Sequence, residues 1–490
     1  MKVGLRRTWS NHTGNQSCQP LEILRPEALG EVVAAVQRAE AEGLTVRATG
    51  SGHSWSDVAL TSGLLLLPQG LAGRLALEEE LLLPGLDTRR LVRVQGGTRL
   101  RELNELLAAD GLALPNMGGY DAQTVAGIIS TSTHGSGLAF GPLQEMVRSL
   151  ELVASGGRLL RVERGDGPTD PAAFAERRRG WELIQDDATF DAAVVGMGCM
   201  GVIYAVILEV VDRFWLNEIR KVTTWEELRG KLDVDWLRRQ GHFELLLNPH
   251  PRADGKHTCL TTQRVVLTER PRRLRWEQLA RHPLTELVAS LPITHPILMA
   301  VLDLAPRGTP EELDKAIEGL AQPSYVNRSY RVFNIGAANL LPAISSEIGV
   351  PIAGGKHVQA VERIMEIAAR RARIGESYHT APFSLRFVKG SDAMLSMMQG
   401  RDTMMIELIL QTDTDGGLEM LAGYEDALYS LCGRPHWGQI NTLTEPVVRK
   451  LYPRLDEWRA VHSRLNASGV FDSPFSKRVG LSTRGFAVAA

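Results

Sequence analysis

Three segments of the chain gather residue types suited to a polar, anionic cofactor. The first, Thr49-Gly50-Ser51-Gly52-His53-Ser54-Trp55, sets a histidine beside a pair of glycines. Glycine admits backbone conformations closed to other residues, so successive N–H groups there can curl into a nest for a phosphate. The second runs from Thr124 through Ser130-Thr131-Ser132-Thr133-His134-Gly135-Ser136-Gly137 and mixes hydroxyls with glycines. That mixture suits a polar molecule lying along the backbone. The third is Gly433-Arg434-Pro435-His436-Trp437-Gly438-Gln439. Taken singly, the three read as a turn, a loop around a hydrogen-bonded histidine and a packed aromatic pair. Gly196-Met197-Gly198-Cys199-Met200-Gly201 matches the dinucleotide pattern literally, but that pattern needs a following helix. Here a β-branched run from Val202 and Ile203 follows and reads as a strand, so a Rossmann site is rejected.

These segments need elements to hold them. Residues 26–42 read as a helix, with Pro26 at its start, Gly43 past its end and Leu29, Val32, Val33 and Val36 on one face. Residues 44–48, 64–67 and 91–94 read as strands, and 100–109 as a helix closed by Gly111. Between Gly118 and Gly141 glycine is too dense for the interior of a helix or strand, so an ordered loop is expected. Farther on, helices at 310–319 and 358–373 mix with strands at 242–247, 384–388 and 404–410. A last helix is expected at 444–465. The changes of texture divide the chain into 1–215, 216–430 and 431–490. At 490 residues it exceeds a single core, and the mixture points to an α/β or α+β class.

Composition narrows the partners. A net charge of -2 leaves no cationic face for nucleic acid or an anionic membrane. Cys18, Cys199, Cys259 and Cys432 lie far apart, which argues against a zinc site or disulfide framework and for reduced thiols in a cytoplasmic protein. No metal is expected. The N-terminal residues lack the apolar run of a secretory signal, and no apolar stretch is long enough to span a bilayer.

Taken together, the motifs resemble the FAD-binding flavoproteins of the vanillyl-alcohol oxidase superfamily, above all the aldonolactone and alditol oxidase branch. The likeness covers nearly the whole chain. It begins at Thr8-Trp9-Ser10-Asn11, passes through the three segments and Gly198-x-x-Gly201-Val202-Ile203, and ends in Phe471-x-x-Pro474-Phe475. It implies an α+β, PCMH-type FAD domain split between the N-terminal part and the C-terminal segment. A cap domain built on a large antiparallel sheet lies between. The cofactor is FAD, linked through its 8α-methyl group to His53. Gly50, Ser51, Gly52 and Ser54, with Trp55 beside them, would hold the pyrophosphate. Gly118, Thr124, Ala126, Gly127, Ser130, Thr131, Thr133, His134 and Gly135 would serve the isoalloxazine and ribityl side. Gly198, Gly201, Val202 and Ile203 would sit toward the adenine. The implied activity is oxidation of the CH–OH group of a small alcohol, polyol or lactone, by hydride transfer to flavin N5, with O2 as acceptor.

The chain departs from this branch at two substrate contacts. The usual Glu-x-Arg pair reads Ser384-Leu385-Arg386, and the usual lysine after His-Trp-Gly is Gln439. Both changes count against a sugar lactone or alditol as substrate. In the strand at 404–410, Glu407 shares a side with Met405 and Ile409, where a carboxylate is costly unless paired. Pairing with Arg386 from an adjacent strand would satisfy both. In a catalytic version Arg386 polarises the alcohol, and Glu407 or His436 takes the proton. In a bland version the two form a structural ion pair. Three alternatives stay open: a dehydrogenase using a quinone, cytochrome or dye; a reductase fed by NADPH; and a flavin-binding scaffold without catalysis.

Overall fold

The structure, a computed structural model, describes residues 8–482 apart from 270, 276, 277, 279, 280, 282–293, 337–340 and 376. The first seven residues, read above for a secretory signal, lie outside this range. A small parallel sheet opens the fold, with Leu64–Leu66 between Glu22–Leu24 and Val46–Ala48. All three leucines of the central strand are buried, as the middle of a parallel sheet requires. The helix Leu29–Ala41 lays Val32, Ala35, Val36 and Ala39 against it, one face at helical spacing. Next comes a five-stranded mixed sheet in the order Trp181–Gln185, Leu159–Glu163, Val147–Val153, Val202–Glu209, Leu91–Gln95.

The third sheet has eight antiparallel strands and takes its members from Trp215 onward. Its order is Gln322–Arg328, Trp215–Thr224, Thr258–Leu267, His242–Leu247, Phe383–Val388, Thr403–Gln411, Ala343–Pro351, Arg434–Pro435. Strict alternation sorts its two faces. Phe243, Leu245, Phe383, Leu385, Ile406 and Leu408 pack with the helices Lys356–Arg373 and Gly417–Tyr429. The opposite face carries Glu244, Ser384, Arg386, Glu407 and Glu347, residues too costly to bury against hydrocarbon. The C-terminal elements return to the first half of the chain. Val448, Trp458, Val461 and Phe475 share one core with Leu103, Ile128, Leu150 and Val206.

Three expectations need correction. The first helix begins at Leu29 rather than at Pro26, with Ala28 in an extended conformation before it. The glycine-rich stretch contains a short helix, Val125–Ser130, because Thr124 accepts the Gly127 N–H and caps it. The last helix is two, Glu445–Leu451 and Leu455–Leu465, broken at Pro453, whose ring cannot continue a helix. The strand after Gly201 forms as expected.

Candidate active site

The His53 loop is held from three sides. Asn11 Nδ2 donates to the Ser54 carbonyl at 2.9 Å, and Asn15 Nδ2 and Gln16 Nε2 donate to that of Trp55 at 2.9 and 3.1 Å. Trp55 N–H donates to the Gly438 carbonyl at 2.7 Å, so the His-Trp-Gly turn braces the loop from behind. Gly52 has φ +70°, and a Cβ on Gly50 would fall 2.0 Å from Thr124 Oγ1. Glycine at position 50 therefore brings the loop against the capped end of the short helix.

One cleft of about 1110 Å³, counting its open mouth, runs between these pieces. It is lined by Gly50, Ser51, Gly52, His53, Ser54, Trp55, Thr124, Ala126, Gly127, Ser130, Thr131, Thr133, Gly198, Gly201, Val202 and Ile203. His436 and Gln439 reach it too. Gly118, His134 and Gly135 stand behind its wall. A Cβ on Gly135 would lie 2.3 Å from Asn116 Oδ1, and one on Gly118 3.3 Å from the His134 carbonyl, so these glycines serve close packing. Arg386, Glu407 and Ser384 belong to the cap face instead. The His53 ring lies 4.2 Å from that of His12 and 4.7 Å from that of Tyr120. Burial, with the positive charge of His12, Arg99 and Arg101 around it, lowers its pKa to about 4.

The cap face meets the cofactor segments directly. Gly137 N–H donates to the Phe387 carbonyl at 2.7 Å, and Ser136 Oγ accepts from Phe387 N–H at 3.2 Å. The His134 loop is thus laced to the strand that carries Arg386. His436 N–H donates to the Glu347 carbonyl at 2.7 Å, which fixes the His-Trp-Gly turn to the sheet edge. Across the face the charges alternate in sign. Glu218 Oε2 meets Arg264 Nε at 2.8 Å, and Arg264 Nη2 meets Glu244 Oε1 at 2.6 Å. Arg386 Nε then lies 3.5 Å from Glu244 Oε2, and its Nη2 lies 4.0 Å from Glu407 Oε2. The nearer acid to Arg386 is Glu244, not Glu407, because Glu244 is its direct partner across the strands. Glu407 stands opposite Ser384 on one side and Glu347 on the other.

The titrating groups differ sharply. Burial alone would raise Glu244, but Arg264 and Arg386 bring it down to about 2. Burial raises the Glu407 carboxyl, and Glu347 adds to this against the pull of Arg386. Burial lowers His436 to about 4, and nearby His134 adds to the effect. Gly438 N–H donates to His436 Nδ1 at 3.0 Å, so the neutral ring carries its hydrogen on Nε2. In this arrangement the Nε2 of His436 is a donor.

Glu244 and Glu347 escaped the sequence reading. Glu244 shows the signal that exposed Glu407, an acid between apolar neighbours in Phe243-Glu244-Leu245, whereas Glu347 follows Ser345-Ser346 and shows it only in part. The cleft also tests the cofactor. Among buried polar atoms without a hydrogen-bond partner, Arg47 Nε, Trp55 Nε1 and Gln439 Oε1 belong to residues that line it. Donors, an acceptor, a nest of glycines and a neutral histidine fit a dinucleotide flavin.

Comparison with known proteins agrees. Residues 20–163 match the FAD binding domain family. Residues 206–479, more than half of the chain, match the D-arabinono-1,4-lactone oxidase family. The chain belongs to that family. Members of this D-arabinono-1,4-lactone oxidase family and their relatives are FAD-linked oxidoreductases acting on CH–OH donors, and so is this protein. It is 29% identical over 476 residues to an L-gulono-1,4-lactone dehydrogenase of Mycobacterium tuberculosis, covering 96% of this chain and 98% of that one. It is 29% identical over 473 residues to an alditol oxidase of a Streptomyces species, covering 95% and 97%. A crystal structure of cholesterol oxidase from B. sterolicum shares its fold, with a TM-score of 0.76, 14% identity and 96% of each chain covered. The fold is the PCMH-type FAD-binding fold with a cap domain, α+β in class. Among the described residues no helix is long and apolar enough to cross a membrane.

Proposed function

We propose that this enzyme oxidises a secondary or primary alcohol carbon in a small polyol or sugar lactone, with FAD bonded to His53 and O2 as electron acceptor. The observation that carries this reading is the cap face, which sets Arg386, Glu244, Glu407 and Ser384 in one patch beside His436. FAD, when bound, supplies the two-electron acceptor for the hydride leaving the carbon. Arg386, oriented by Glu244, donates to the substrate oxygen and stabilises the charge growing there. Glu407 takes the hydroxyl proton, and burial makes it a stronger base than an exposed carboxylate. His436 holds the substrate oxygen or a cofactor carbonyl through its Nε2 hydrogen. His53, neutral in its buried setting, keeps a ring nitrogen free to form the bond to the flavin methyl carbon. Sheet membership supports 1–215 as the cofactor half and 216–430 as the cap; in 431–490, Arg434–Pro435 adds an edge strand to the cap sheet, and the helices after it pack into the core of the cofactor half.

Ser384 and Gln439 do not remove the acid from the patch. Glu407 faces Ser384 across the strand pair, so the carboxylate has crossed to the neighbouring strand rather than vanished. The test is acid denaturation followed by mass spectrometry of the His53 peptide, with substrate oxidation measured in parallel. A peptide heavier by one FAD is expected, together with oxygen uptake on L-gulono-1,4-lactone, D-arabinono-1,4-lactone or sorbitol. Flavin released with a bare His53 refutes the covalent bond. The name of the Mycobacterium tuberculosis relative favours a second reading, a dehydrogenase. Reduced enzyme that reacts with a quinone dye but is not reoxidised by O2 would decide for it.

A further inference from the structure

Glu347 and Glu407 are direct partners in the pairing of Ala343–Pro351 with Thr403–Gln411. Side chains of such partners point to the same side, with Cβ atoms about 4.5–5.5 Å apart. Two carboxylates held this close away from water do not ionise with equal ease. His134 breaks the tie. Its Nδ1 lies 2.9 Å from the Gly135 carbonyl and its Nε2 lies 3.2 Å from Glu347 Oε1. The Gly135 carbonyl can only accept, which puts a hydrogen on Nδ1, and a Glu347 carboxyl held well below its ordinary range accepts a second from Nε2. The ring and Glu347 then form a buried ion pair, and Glu347 confronts Glu407 as a fixed negative charge.

We propose that the His134–Glu347 pair is a positioning device that pins a carboxylate opposite Glu407 and so sets the pH at which Glu407 becomes a proton acceptor. This rests on the reading of Glu407 as the base. The groups around Glu407 are Arg386 and Ser384 on one neighbouring strand, Glu347 on the other, Glu244 one strand farther, His134 from the cofactor loop and His436 beside Glu347. Burial opposes ionisation of Glu407 most; Arg386 and His134 favour it; Glu347 and Glu244 oppose it. For Glu347 itself burial is outweighed by His134, with His436 and Arg386 adding, so it stays ionised. Carboxylates whose surroundings separate them in this way divide into a permanent charge and a working base.

Two substitutions push the base in opposite directions. Glu347→Gln removes the opposing charge, and the acid limb of the kcat/KM profile should move down by about one pH unit, the scale of a neighbouring charge. His134→Gln releases Glu347 to share a proton with Glu407, and the limb should move up. Profiles would be measured on flavin-loaded enzyme with L-gulono-1,4-lactone or sorbitol, whichever is oxidised. A substrate-free readout is the carboxyl C=O infrared band assigned by subtracting Glu407→Gln spectra and titrated in each variant. Shifts of opposite sign support the proposal. Shifts of the same sign, or none, overturn it, and the near-isosteric Glu347→Gln decides alone if His134→Gln does not fold. If Glu407→Gln leaves oxidation intact, Glu407 is not the base. The infrared titration then still shows whether Glu347 controls its proton.

Discussion

Replacing Glu244 by glutamine tests the alternating charges of the cap face. The side chain keeps its shape but stops compensating two buried guanidinium groups. At an effective dielectric of about 20, the contacts at 2.6 and 3.5 Å are each worth about 5–6 kcal/mol before desolvation is charged against them. The net loss for breaking a buried pair is about 3–5 kcal/mol. The depressed pKa of Glu244 gives a similar figure: moving a carboxyl from 4.5 to about 2 corresponds to about 3 kcal/mol. Its sign is fixed. A depressed folded-state pKa contributes stability above the unfolded value, and this is lost as pH falls from 4.5 toward about 2. Urea unfolding followed by tryptophan fluorescence should show Glu244→Gln weaker by about 3 kcal/mol at neutral pH. The gap should narrow at about pH 3, because the wild type has then lost part of the same interaction. A loss below about 1 kcal/mol, or a gap independent of pH, would refute the argument that Glu244 anchors Arg264 and Arg386.

Other substitutions probe other parts of the site. Gly50→Ala places a methyl 2.0 Å from Thr124 Oγ1 and should cut flavin absorbance per chain at least tenfold, while adding Thr124→Gly should restore it. The second change itself is mild, since glycine caps a helix at a cost of a few tenths of a kcal/mol. Glu407→Gln should slow flavin reduction by substrate at least 100-fold, the scale of losing a general base, and stopped-flow rates equal to wild type would sink that role. Ser384→Glu should reduce both activity and thermal midpoint by setting a third carboxylate beside Glu407 and Glu347. Pairing it with Glu407→Ser should recover much of both, and no recovery would show that the two positions are not interchangeable seats for one acid.

The sequence was most legible where backbone chemistry is local. Gly50 and Gly52 announced a tight loop suited to an anion, and the helix Leu100–Ala109 forms where its pattern ends it. Glu407 was found because an acid in an apolar strand must be compensated. Arg386 was placed on an adjacent strand, but Glu347 and Glu244 were missed, since the register of Ala343–Pro351 and His242–Leu247 depends on long connections that carry no periodic signal. The tautomer of His436 has a similar origin. Which ring nitrogen keeps its hydrogen is set by the Gly438 N–H, a turn geometry that residue types do not encode. Thr124 shows the reverse case. Capping was readable in principle, but the glycines around it masked a helix of six residues.

The lacing of Gly137 and Ser136 to Phe387 has a mechanical consequence. The segment after His134 and the strand bearing Arg386 are tied by one main-chain bond and one bond to a side-chain hydroxyl, so any hinged opening of the cap would have to break both and leave buried polar groups without partners.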